Sequence, residues 1–117
     1  MKDYPKNSLD EREKAFEAKY QLDEAVAFKV NVRQAKLLGL WVAERLGLTG
    51  EAATAYGRAA VEADLLKPGH VALMGKLRDD LSAGGRGADA DRLSHELFRW
   101  EAVARDQVIA ELTASKG

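Results

Sequence analysis

The 117-residue chain has no cysteine, only two prolines, and no excess of either charge: 18 Lys and Arg stand against 19 Asp and Glu, a formal net charge of −1. Without cysteine there is no disulfide framework, no thiolate nucleophile and no thiolate metal site. The neutral balance argues against a dedicated nucleic-acid binder, which carries a basic excess. Long apolar runs are also missing. The longest acid-free stretch, Ala25 to Ala43, contains Lys29, Arg33 and Lys36, which excludes a membrane span. The opening Met-Lys-Asp-Tyr-Pro-Lys has no apolar core and does not read as a signal peptide. β-branched residues are few, 8 Val, 1 Ile and 3 Thr, against 20 Ala and 15 Leu. That balance favours helix over strand, and the length suits a single domain.

What is present is helical periodicity. The first seven residues read as a tail. Ser8-Leu9-Asp10-Glu11 has the form of a capping box, and from there to Leu46 no proline intervenes, so the stretch reads as one long helix or two stacked ones. Residues 10–24 hold six acids and three bases, with Leu9, Phe16 and Tyr20 forming a thin apolar stripe. From Leu22 the core signal is denser: Leu22, Val26, Val30, Leu37 and Trp41 follow at steps of four, four, seven and four. The second half should pack; the first half has two open readings, a charged surface helix or an element that orders on a partner. Phe28 and Val32 point away from the Val26/Val30 ridge and are expected to widen the buried face.

Gly47-Leu48-Thr49-Gly50 marks a break, with Gly47 a left-handed terminator and Thr49 a cap. A second helix is expected over about 51–66 with Tyr56, Ala59, Ala60 and Ala63 on its small-residue face. A third is expected over about 70–82 with Val71, Met74, Leu77 and Leu81. After a flexible Gly84–Gly87 turn, a last helix over about 88–113 carries Leu93, Leu97, Trp100, Ala104, Val108 and Leu112 on one face. The fold expected is all-α, a four-helix bundle over residues 22–117, with residues 1–21 a tail followed by a segment whose two readings stay open.

Site chemistry is sparse. His70 and His95 are isolated and read as surface or capping residues, so neither a serine-based triad nor a metal site is supported. Gly69 to Lys76 is a near miss for a phosphate loop: five residues separate Gly69 from Gly75 instead of four, and Leu77 stands where a magnesium-binding hydroxyl is required. Lys29, Arg33 and Lys36, at i, i+4 and i+7, form one basic stripe. Two readings are open for it: a ligand or acidic-partner site, or a solvated face whose acids come from a neighbouring helix.

The segment Leu9-Asp10-Glu11-Arg12-Glu13-Lys14-Ala15-Phe16-Glu17-Ala18-Lys19-Tyr20 resembles the "DDRERAxEAKF" opening of the zeta subunits of alphaproteobacterial F-type ATP synthases. Leu37-Leu38-Gly39-Leu40-Trp41, then Leu46-Gly47-Leu48-Thr49-Gly50 with Ala55-Tyr56, are similar to that family's "LLGxW…LGxTGxxAxAY". Ala104-Arg105-Asp106-Gln107-Val108-Ile109 is similar to its "AREQI" ending. The likeness runs from Leu9 onward in three ordered blocks; the Pro68-Gly69 and Gly84–Gly87 turns depart from the pattern.

The resemblance implies an inhibitor of ATP hydrolysis rather than an enzyme, with no required cofactor. It implies a four-helix bundle whose mobile arm enters the catalytic head of the synthase among its alpha, beta and gamma subunits. The arm residues so implicated are Leu9, Asp10, Arg12, Glu13, Phe16, Glu17, Lys19 and Tyr20, with Phe16 and Tyr20 as apolar anchors. The family's association with ADP or ATP puts a regulatory nucleotide on Lys29, Arg33 and Lys36, with Trp41 and Tyr56 as core or base-stacking residues. The chain is then expected to be monomeric when free, and cytoplasmic, held at the inner membrane only through the synthase. The alternative is a nucleotide-sensing helical bundle acting on another protein. The local −3 of residues 10–24 beside the local +3 of residues 25–43 also suggests an arm that folds back when no partner is present.

Overall fold

The computed structural model describes residues 23–67 and 69–116, all in helices and the turns between them. Helix α1 spans Glu24–Arg45, α2 Gly50–Leu66, α3 Val71–Ala83, the single-turn α4 Gly87–Ala90, and α5 Leu93–Lys116. Among the described residues there is no strand, and no helix is long and apolar enough to cross a membrane.

Each boundary has a local cause. Asp23 is extended and its carboxylate accepts from the Ala25 N–H, so α1 starts afresh there. A helix running unbroken from Ser8 to Leu46 is therefore not what the chain forms. At the other end the Gly47 N–H bonds Glu44 and the Leu48 N–H bonds Ala43, with Gly47 left-handed, the 5→2 and 6→1 pattern that ends helices. Thr49 occupies the expected cap position of α2, but its side chain makes no capping hydrogen bond. The turn after α3 repeats the 5→2 and 6→1 pair at Gly85 and Arg86, so it is a hydrogen-bonded turn rather than a slack one. The last helix begins at Leu93, not at residue 88. Arg92 bonds Asp89 at i−3 instead of continuing the i−4 ladder, and Arg86 holds the Asp89 carboxylate at 2.9 Å. Those contacts set off α4 as a separate turn.

Helix α1 is central, packing on α2, α3 and α5. The main core joins Ala35, Leu38, Trp41 and Val42 of α1 to Ala60, to Leu73, Leu77 and Leu81 of α3, and to Ala90 and Leu93. A smaller cluster lies toward the N-terminal end of α1, where Val26 and Val108 meet with Val30, Ile109 and Leu112 around them. The last-helix face appears as expected. On α1 the buried ridge passes through Gln34 and Leu38 rather than Leu37, because the Gln34 side chain turns inward to donate to the Leu97 carbonyl at 2.8 Å. On α3 the buried set starts at Leu73, and Val71 is exposed. The α1/α2 seam closes through missing side chains: a Cβ on Gly39 would sit 2.6 Å from the Ala60 Cβ and 3.2 Å from the Gly57 Cα.

Candidate functional site

The eight arm positions, Leu9, Asp10, Arg12, Glu13, Phe16, Glu17, Lys19 and Tyr20, lie outside the described residues. The basic stripe lies within them. Lys29 and Lys36 are exposed on α1 and make no ion pair among the described residues. Arg33 is committed elsewhere: its guanidinium donates to Gln107 at 2.8 Å and to Glu111 at 2.9 Å, both on α5. The stripe is thus brought together on one helix face, with its middle cation clamped by a neighbouring helix.

Beside the stripe runs an apolar groove. Phe28 does not widen the core; 55% of it is exposed. A cleft of about 410 Å³ lies between Phe28, Val32 and the stripe on one side and Val108 and Glu111 on the other. A second, of about 330 Å³, lies on the opposite flank of Phe28 and Val32 against Val61, Asp64 and Leu65. The signal in the sequence was the pair Phe28 and Val32 itself, set off the core ridge.

His70 is the N-cap residue of α3, its carbonyl accepting from the Met74 N–H at 2.9 Å, but its side chain makes no capping hydrogen bond. It is left-handed (φ 68°) at the start of α3, and its Nδ1 lies 2.9 Å from the Asp64 carboxylate. That contact ties the α2–α3 turn together. His95 is exposed on α5. The near-miss phosphate loop leads from α2 into α3 without a strand, and Gly75 sits mid-helix.

Neither aromatic considered for base stacking is free. Trp41 is buried between the guanidinium groups of Arg45 and Arg92, each 5.6 Å from its ring. Tyr56 is half-buried; its hydroxyl donates to Asp80 at 2.6 Å, and Lys76 lies 4.9 Å over its ring while pairing with Asp80 at 3.0 Å. Glu96 and Asp89 were not singled out by spacing. Glu96 is buried and accepts from Arg99 and Trp100, both at 3.1 Å.

The Tyr56–Asp80–Lys76 clasp makes stability pH-dependent at both ends. Burial raises the Tyr56 pKa, and the hydrogen bond and negative charge of Asp80 raise it further. Burial also works to raise that of Asp80, but the hydrogen bonds from Tyr56 and Lys76 and the Lys76 charge outweigh it and leave the carboxyl below its ordinary value. A depressed carboxyl stabilises the fold above its unfolded pKa and loses that contribution as pH falls through its folded one. A raised phenol stabilises below its unfolded pKa and loses the contribution as pH rises. Urea midpoints should therefore fall below about pH 4 and above about pH 10. Tyr56→Phe should flatten the alkaline limb and weaken the acid one.

No curated protein and no solved structure matches the chain significantly. The family model described as ATPase inhibitor subunit zeta matches residues 6–107, a span that takes in the segment before α1 and the helices through most of α5. The chain belongs to the ATPase inhibitor subunit zeta family.

Proposed function

We propose that this protein inhibits ATP hydrolysis by the catalytic head of an F-type ATP synthase, and that the segment before α1 delivers the inhibition. The observation that carries the reading is the family match, which begins at residue 6 and so includes the whole charged, thinly apolar segment. Physical chemistry supports the division of labour. The helices from Asp23 onward close a core of their own, whereas Leu9, Phe16 and Tyr20 are too sparse a stripe for a lone short helix to be stable in water. Set into a partner groove, Phe16 and Tyr20 would anchor, and Asp10, Arg12, Glu13, Glu17 and Lys19 would form ion pairs across the interface. The partner surface is then among the alpha, beta and gamma subunits, and the protein reaches the inner membrane only through them.

A nucleotide-sensing role on the stripe is less well supported. With Arg33 spent on Gln107 and Glu111, an ADP or ATP phosphate would be gripped by Lys29 and Lys36 alone, two cations about 10 Å apart along the helix axis.

An ATPase assay of the synthase head tests the proposal. Full-length protein should suppress hydrolysis, and protein lacking residues 1–21 should not, while its thermal unfolding stays that of the helical core. Equal inhibition by the truncated protein would overturn the arm reading.

A further inference from the structure

The exposed face of α1 is matched, charge for charge, by the segment that precedes it. Lys29, Arg33 and Lys36 are spaced four and three; read backwards, Glu17, Glu13 and Asp10 are spaced four and three as well. A chain that doubles back at Asp23 sets Glu17 opposite Lys29, Glu13 opposite Arg33 and Asp10 opposite Lys36, in a single register. We propose that in the free protein residues 9–22 double back in this way and occupy the groove along Phe28 and Val32.

The geometry permits the register. Asp23 is extended and caps α1, so the helix is interrupted there and a change of chain direction before it is open to the backbone. Gln21 to Asp23 then serves as a three-residue connection, within the two to five residues common between antiparallel helices.

Handedness selects the same pairing. At about 100° per residue, Lys36 and Lys29 stand roughly 80–100° to one side of Phe28 on α1. At helical spacing, Glu13, Glu17 and Asp10 stand roughly 40–100° to the same rotational side of Leu9. Two facing helices bring flanks of the same sense together only when they run antiparallel, as a doubled-back chain does. Arg12 and Lys19 then fall on the other flank, where the groove is bordered by Asp64. The apolar stripe of Phe16 and Tyr20 lies between these flanks and would cover Phe28, Val32 and Leu65, of which Phe28 and Leu65 are more than half exposed. Arg33 is already held by Glu111, so Lys29 and Lys36 supply the unspent charge. A tethered segment needs little intrinsic affinity to occupy such a site.

The consequence for inhibition rests on the function proposed above: a docked segment is withheld from the head until a partner competes for it. The docking itself is tested without any ATPase. Because the chain has no cysteine, Ser8→Cys carries a single nitroxide. Amide signals of the labelled, isotopically enriched protein should be lost around Lys36, recovered at high salt, recovered by Lys36→Glu, and lost again in the charge-swapped pair Asp10→Lys with Lys36→Glu. Lys36 is exposed, so these variants keep the fold, as unshifted amides elsewhere will show. Uniform weak broadening, or indifference to the swap, would overturn the proposal. So would broadening that arises only between a nitroxide-bearing molecule and a separate enriched one, since the occupant would then be a second copy. Failure here leaves the inhibitory reading standing, and failure of the truncation assay leaves the docking standing.

Discussion

Gly39→Leu should lower stability by about 3 kcal/mol or more, at or beyond the upper end of ordinary overpacking. On a domain of this size that is a fall of roughly 12–24 °C in the thermal midpoint. The first carbon of the new side chain already meets the Ala60 Cβ at 2.6 Å and the Gly57 Cα at 3.2 Å. Neither atom can rotate away, because one is a Cβ fixed to the backbone and the other is backbone itself. The remaining leucine carbons would have to pry α2 from α1. Gly39→Ala is the sharper test, because two effects of similar size oppose each other. Alanine gains about 1 kcal/mol of helix propensity over glycine, yet it makes the same first contact. The expected net is a loss, and Ala60→Gly in the same molecule should recover most of it. A double-mutant cycle of urea midpoints measures that coupling directly; additive effects would mean that the seam yields freely.

The second large effect is expected at Leu77. Its side chain is fully buried at the middle of α3, flanked one turn away on either side by Leu73 and Leu81, which are equally inaccessible. Leu77→Ala should cost about 2–5 kcal/mol through lost transfer energy and the cavity left behind. The upper part of that range is the expectation here. Helix α3 has only 13 residues, too few for stability on propensity alone, so it depends on these three leucines and the Tyr56–Asp80 bond for its docking. Loss of helical signal at temperatures where the parent is intact would show α3 leaving its seat. A shift well under 1 kcal/mol would mean the core collapses around the missing atoms.

Much of the fold could be read from residue order. The face of α5 from Leu93 to Leu112 was legible because it is an unbroken series of large apolar residues at helical steps. The end of α1 was legible because Gly47 is the one residue there suited to a left-handed turn. What escaped were places where a polar side chain behaves as core or a small one as contact. Gln34 hides among buried residues by bonding a carbonyl on α5, and so the ridge of α1 is Leu38 rather than Leu37. Gly57 is a contact surface, and no periodicity of large residues can announce an absent side chain. Val71 looked like core by spacing, but it stands at the first position of α3, before that helix reaches the bundle, and is exposed.

The candidate site divides along the same line. The basic stripe was visible as spacing, and the expected acid from a neighbouring helix is there for Arg33, which pairs with Glu111, but not for Lys29 or Lys36. Which cation would be spent could not be read, because Glu111 lies 78 residues away from Arg33 in sequence. The exposure of Phe28 depends on which faces of α1 its neighbours cover, and that is a property of the assembled helices rather than of any one of them.

The two unequal clusters along α1 have a mechanical consequence. The half of the helix from Trp41 back to Ala35 is embedded in the main core, while the half nearer Asp23 is held mainly by Val26 and Val30 against the last turns of α5. Any pull transmitted through the segment before α1 reaches the weaker mooring first. That mooring, with few buried contacts, opens at lower free energy than the core. It is the more compliant end of α1, so strain applied there would be absorbed at the base of that helix before it could reach the leucines of α3.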